Sequence, residues 1–144
     1  TAASVALSKG ASLKVVSIWS SQYENTLRDF GLLKKSKEEV AEYVNEAEAL
    51  HRKHFTQFIA AIKAELGQEQ FAALAVEQVS IKGAPREELP KYSKSINADL
   101  VVMGTVARVG IPGLIIGNTA ENILYRLNQS VLVLKPEGFD SLVD

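Results

Sequence analysis

Four short apolar runs, separated by longer helical or loop-forming segments, constrain the fold of this 144-residue chain most strongly. The runs are rich in valine, isoleucine and leucine and end at polar residues or glycine, which is typical of β-strands. Alternation of such strands with helices favours a mainly parallel sheet with right-handed crossovers. We therefore predict an α/β fold with strands at Leu13–Trp19, Leu74–Ile81, Leu100–Met103 and Val131–Leu134.

Helical periodicity occupies the segments between these runs. The longest stretch, Ser36–Leu66, repeats apolar residues every three or four positions, as a helix with one buried stripe does. Ser36 and Glu39 form a capping-box pattern at its start, and Gly67 is a suitable residue to end it. Shorter helices are predicted at Ala2–Lys9, Glu87–Ile96 and Thr119–Leu127.

Two of these shorter helices carry a specific expectation about where they begin. Pro85 and Pro90 cannot both sit comfortably in one first turn, so we expect a late start or a kink in the helix at Glu87–Ile96. In the last helix, Asn118 is predicted to be the N-cap, with Glu121 three residues later.

Charge and composition exclude several classes of protein. The 16 lysine and arginine residues nearly balance 17 aspartate and glutamate residues, so no basic footprint for nucleic acid stands out. The chain has no cysteine, which removes disulfides, thiolate catalysis and cysteine-type zinc sites. No apolar run approaches the roughly 18–20 residues that span a bilayer. We expect a soluble cytoplasmic domain without a nucleic-acid partner or a membrane span.

The glycine-rich stretch from Gly104 to Thr119 contains the candidate binding residues. It follows a predicted buried strand and leads into a helix, and such loops line the ligand crevice of α/β sheets. Glycines allow close approach of a ligand, and free N–H groups at a helix start favour phosphate. The opposing interpretation is that the glycines serve turns and that Asn118 and Glu121 only cap the helix. The candidate phosphate ligands are Gly104, Thr105, Arg108, Gly110, Gly117, Asn118 and Thr119.

The same part of the chain resembles a known family. Ala98–Thr105, with Gly117, Ala120–Asn122 and Ser130–Pro136, resembles the C-terminal signature of the universal stress protein family. The Gly83-Ala84-Pro85 segment is similar to the exit of that family's third strand. The ending from Lys135 to Phe139 looks most like that of the tandem, two-domain members of the family.

This resemblance implies a flavodoxin-like fold, of the adenine nucleotide alpha hydrolase-like type, with a doubly wound parallel sheet of strand order 3-2-1-4-5. Residues 1–144 then form one such domain, incomplete at its N-terminus, in which the first strand is missing. We expect another segment to fill the gap, or the sequence to belong to a longer tandem protein. The resemblance also implies pairing with a companion domain or in a homodimer through the last strand, at Val131, Leu132, Val133 and Leu134.

The nucleotide-binding branch of the family is similar to Gly-x2-Gly-x9-Gly-(Ser/Thr). On this chain the pattern falls on Gly104, Ala107, Gly117 and Asn118, so two of its four positions depart. We interpret the chain as a stress-response domain with a degenerate phosphate loop and no strong catalytic role. One alternative is a slow ATP-hydrolysing protein that grips phosphates with the two glycines, Arg108 and Thr119. Another is a binder of an apolar or lipid-like molecule beneath the segment Ser20–Lys35.

Two histidines raise the question of a metal site. His51 and His54 are three residues apart on the longest predicted helix, with Glu48 one turn earlier, and this spacing can bind a metal. No further ligand cluster accompanies them in the sequence. We therefore interpret them as histidines on the flank of the helix, with no metal site and no catalytic residue assigned.

Overall fold

The computed structural model describes residues 1–21, 36–104 and 117–135, which fall into two compact units, Thr1–Lys82 and Gly83–Asp144. The described part of each unit contains one two-stranded parallel sheet and helices. The first unit comprises α1 (Ala2–Lys9), β1 (Lys14–Trp19), α2 (Lys37–Leu66), α3 (Gln68–Ala73) and β2 (Glu77–Lys82). The second comprises α4 (Pro85–Ser95), β3 (Leu100–Gly104), α5 (Asn118–Leu124) and β4 (Ser130–Leu134).

The sheet of the first unit pairs β1 with β2 in register from Lys14 opposite Glu77 to Trp19 opposite Lys82. An ion pair between Lys14 and Glu77 joins the strands where the pairing begins. Because side chains alternate along a strand, every second residue of β1 shares a face with its partners on β2. One face therefore carries Val15, Ser17, Trp19, Gln78, Ser80 and Lys82.

Helix α2 begins with the predicted capping box. The Ser36 N–H donates to Glu39 Oε2 at 2.7 Å, and the Glu39 N–H donates to Ser36 Oγ at 3.2 Å. The helix ends at Gly67, which has φ +79° and whose N–H donates to the Lys63 carbonyl at 3.0 Å. Its 30 residues extend about 45 Å at the usual rise per residue, more than twice the length of the six-residue strands β1 and β2.

The chain between α2 and β2 departs from the prediction. Helix α3 was not predicted, and β2 starts at Glu77 instead of Leu74. Leu74 is the C-cap of α3 and is 3% exposed. This apolar residue is therefore buried at the end of a helix and not in a strand. Ala75 then turns the backbone with φ +44°.

The sheet of the second unit pairs β3 with β4 from Leu100 opposite Ser130 to Gly104 opposite Leu134. Helix α4 starts at Pro85, two residues earlier than predicted, and holds Pro90 in its interior. The expected late start is wrong, because Pro85 occupies the first helical position, where no N–H is needed. The alternative expectation, a kink at Pro90, stays a prediction. Ser93 is 2% exposed, and its hydroxyl lies 3.1 Å from the Pro90 carbonyl and 3.3 Å from Gln129 Oε1.

Both strand pairs agree with the expected strand order. In the order 3-2-1-4-5 without strand 1, the remaining neighbours are 3 with 2 and 4 with 5, and these are β2 with β1 and β3 with β4. Among the described residues no strand joins the two sheets, and the segment that would fill this place stays a prediction. Among the residues that the structure describes, the buried apolar ones are Ala6, Ile59 and Leu74 in the first unit and Val101, Ala120 and Ile123 in the second.

Candidate functional site

The candidate phosphate loop begins at the carboxyl end of β3. Gly104 is the last residue of that strand and pairs with Leu134, the last residue of β4, so the two strand ends lie at one edge of their sheet. A Cβ atom built on Gly104 would approach no described heavy atom more closely than the Leu134 carbonyl oxygen, at 4.0 Å. The packing of the described residues therefore does not require glycine here.

The other described part of the loop is the start of α5. Gly117 is the N-cap, with φ −76° and ψ 145°, and its carbonyl accepts the Glu121 N–H at 2.9 Å. The prediction that Asn118 is the N-cap is wrong, because Asn118 is already the first helical residue, and no described side chain caps this helix. The Asn118 carbonyl accepts Asn122 Nδ2 at 2.7 Å, and the side chains of Asn118 and Thr119 are exposed.

The remaining predicted site residues divide into two groups. Thr105, Ala107, Arg108 and Gly110 lie outside the described residues, as does most of the segment Ser20–Lys35. The residues predicted to pair domains all lie in β4 and are half-buried: Val131, Leu132, Val133 and Leu134.

A cluster that sequence reasoning did not predict lies in the first unit, where α2 faces β1. The ring of His51 stacks between those of Trp19 and Phe55, with centroid distances of 5.6 Å and 6.1 Å and an interplanar angle of 21° in each pair. Lys82, which pairs with Trp19 in the sheet, places Nζ 5.7 Å from the centroid of the Trp19 ring system. Stacking of this kind fixes the orientation of the imidazole.

A hydrogen bond also holds the His51 ring. Its Nε2 atom lies 3.0 Å from Ser80 Oγ on β2. Burial lowers the pKa of His51, and repulsion from a charged His54 lowers it further, against a smaller opposing effect of Glu48. The four-residue spacing of His51 and Phe55 puts both on one helix face, but only the fold brings Trp19 and Ser80 to them.

The acidic residue near the histidines has a partner of its own. Glu48 Oε1 accepts a hydrogen bond from Arg52 Nη2 at 2.7 Å, an ion pair one turn along α2. In the described segments, no three histidine or acidic side chains are grouped as a metal site would require. Nor does any helix in those segments have the length and apolarity needed to cross a membrane.

Comparison of the sequence with known proteins identifies the family of the chain. The model of the universal stress protein family matches residues 1–135. Universal stress protein E of Escherichia coli K12 is 40% identical over 63 residues, which are 44% of this chain and 20% of that protein. The chain thus matches about a fifth of the length of this curated relative.

Solved structures support the fold over nearly the whole chain. A putative universal stress protein from Pseudomonas aeruginosa UCBPP-PA14 is 29% identical, with a TM-score of 0.55 over 92% of this chain and 37% of its own. Protein MJ0577 of Methanocaldococcus jannaschii is 19% identical, with a TM-score of 0.65 over 96% of this chain and 90% of its own. These likenesses and the parallel strand pairs confirm the flavodoxin-like α/β fold.

Proposed function

Because the chain belongs to the universal stress protein family, we propose that it serves the cellular stress response as a ligand-responsive domain and not as an enzyme of high turnover. The family match over residues 1–135 carries this proposal. It is tested by deleting the segment that encodes this domain and comparing survival with the parent strain under starvation, oxidant and acid shock. We expect poorer survival in at least one condition. Equal survival in all three would contradict the proposal.

ATP is the candidate ligand at the glycine-rich stretch. Two features support it: no described heavy atom lies closer than 4.0 Å to a Cβ position on Gly104, and the start of α5 carries exposed polar side chains at Asn118 and Thr119. Two others oppose it, because Ala107 adds a Cβ in the loop and Glu121 places a carboxylate in the first turn of α5. We infer a degenerate phosphate loop that binds ATP weakly or not at all.

Isothermal titration with ATP and Mg²⁺ tests this inference. The native protein is compared with the double variant Ala107→Gly, Asn118→Ser, which restores the nucleotide-binding pattern. We expect the double variant to bind more tightly than the native protein. If neither version releases heat with all strands of the domain present, the hypothesis that the glycine-rich stretch binds a nucleotide is wrong. If the native protein binds as tightly as the variant and hydrolyses ATP, the slow ATP-hydrolysing alternative replaces ours.

The last strand is the proposed site of pairing, with a companion domain of a tandem protein or with a second copy. Four consecutive apolar residues, Val131–Leu134, make β4 suited to association along its length. Light scattering at high micromolar concentration tests the proposal, and a stable monomer would count against it.

A cytoplasmic location completes the proposal. The chain has no cysteine, which fits a compartment where disulfides are rare. Cell fractionation with an antibody against the protein tests this location, and recovery in the membrane or periplasmic fraction would contradict it.

A further inference from the structure

A cavity of about 230 Å³ lies between α2 and β1 in the first unit. Val15, Val16 and Ser17 line it from the strand, and four aromatic or imidazole residues of α2 line it from the helix. These four residues are His51, His54, Phe55 and Phe58. An engineered apolar cavity of about 150 Å³ holds one benzene molecule, so this volume suits one aromatic ring with a small substituent.

Phenyl rings of α2 and an apolar residue of β1 form part of the cavity wall. Phe58 keeps 55% of its surface exposed, whereas the neighbouring Phe55 is half-buried against His51. When a planar ligand covers such an exposed phenyl ring, apolar surface is removed from water, and this favours binding. Val15 supplies the apolar surface of the strand opposite.

The polar groups that line the cavity favour a negatively charged ligand over a positively charged one. The described side chains that line it include two imidazoles and the Ser17 hydroxyl, and none of them is acidic. The acidic residue one turn from His51, Glu48, is bonded to Arg52. A carboxylate can accept hydrogen bonds from the hydroxyl and from an imidazole N–H, whereas an ammonium group would meet no anion among these residues.

We propose that this cavity is a binding site for a small aromatic carboxylate, with the ring between Phe58 and Val15 and the carboxylate toward Ser17 and His54. The site lies in the first unit, whereas the described residues of the candidate phosphate loop lie in the second. The proposal therefore does not depend on nucleotide binding. His51 is held by Trp19, Phe55 and Ser80, so it forms a fixed wall.

Benzoate is the probe, and amide and methyl chemical shifts of the protein are the readout. We expect benzoate to shift the signals of Val15, Ser17 and Phe55, because its ring current acts on nearby atoms. We expect benzylamine, which has the opposite charge, to bind at least about tenfold more weakly. Absence of shifts at these residues up to millimolar benzoate, or equal binding of benzylamine, would overturn the proposal.

Three variants test whether benzoate binds at this cavity. Phe58→Ala should weaken benzoate binding about tenfold, and Leu50→Ala should change it by less than about twofold. Leu50 is the matched control because it is also 55% exposed on α2 and does not line the cavity. His54→Leu, which removes the imidazole N–H donor, should weaken benzoate binding with little effect on benzyl alcohol. If Phe58→Ala binds benzoate as the native protein does, the site lies elsewhere and the proposal fails.

Discussion

The Nε2 atom of His51 and the Oγ atom of Ser80 lie 3.0 Å apart, and this hydrogen bond ties the middle of α2 to β2. With the stack of Trp19, His51 and Phe55, it makes the imidazole a fixed part of the helix–sheet contact in the first unit. The protonation state of His51 therefore bears on how firmly α2 is held.

We predict that the protein loses stability in mild acid through His51. Burial and His54 lower the pKa of His51 in the folded state, so the unfolded chain binds more protons just below the ordinary histidine pKa of about 6.5. The contribution of His51 to the free energy of unfolding is fully present above the ordinary histidine pKa. It decreases as the pH falls from that pKa toward the lowered pKa of the folded state. Urea unfolding between about pH 8 and pH 5 measures the decrease.

The variant His51→Gln isolates this effect, because it removes the titrating group and keeps a side chain that can bond Ser80. Its unfolding free energy should depend less on pH in this window than that of the native protein. NMR titration of the His51 ring proton gives the pKa directly. A value at or above that of an unperturbed histidine would refute the prediction.

Gly83→Ala should destabilise the protein by about 1–3 kcal/mol. Gly83 has φ +153°, and a Cβ atom placed on it would lie 2.5 Å from Cγ of Glu88, near the backbone end of that side chain. The substitution combines a strained backbone with a steric clash, so urea unfolding should show a lower midpoint. Gly10→Ala is the control for strain alone, since Gly10 has φ +60° and nothing described within 4 Å. An equal or larger loss at Gly10 would argue against a role for the clash.

Ser93→Ala should cost about 1–2 kcal/mol of stability. The hydroxyl is buried and lies within hydrogen-bond distance of the Pro90 carbonyl and Gln129 Oε1, which connects α4 to the segment before β4. Ser95→Ala on the same helix removes an exposed hydroxyl that donates to the Tyr92 carbonyl, and it should cost less than about 0.5 kcal/mol. Thermal melting of both variants is the measurement. Equal melting temperatures would show that the link to Gln129 contributes no stability.

Ala75→Gly should stabilise the protein by about 0.5–1 kcal/mol. Ala75 is exposed and adopts φ +44°, where an L-residue with a Cβ is strained and glycine is not. Ala72→Gly, inside α3, should instead lower stability by about 1 kcal/mol because glycine is a poor helix former. Denaturant midpoints that move in opposite directions would bear this out, and a loss of stability at both positions would contradict it.

Much of the fold could be predicted from local patterns. The β-branched runs predicted all four described strands, and the Ser36–Leu66 periodicity with its capping box predicted α2, since both signals depend on residues close in sequence. The prediction was wrong where tertiary burial overrode the local pattern. Leu74 is buried at the end of a short helix and not in a strand. The start of α5 is a separate case, because Gly117 is the N-cap there and Asn118 is an exposed first helical residue.

The sequence by itself determined the family, the parallel α/β class and the place of Gly104 at a strand end, because glycine positions and hydrophobic periods are local properties. Tertiary structure alone decided that Trp19, His51 and Ser80 meet. These residues are far apart along the chain, and only the packing of α2 on the β1–β2 sheet brings their rings and hydroxyl together. The burial that results is also what lowers the pKa of His51, a property that no spacing in the sequence encodes.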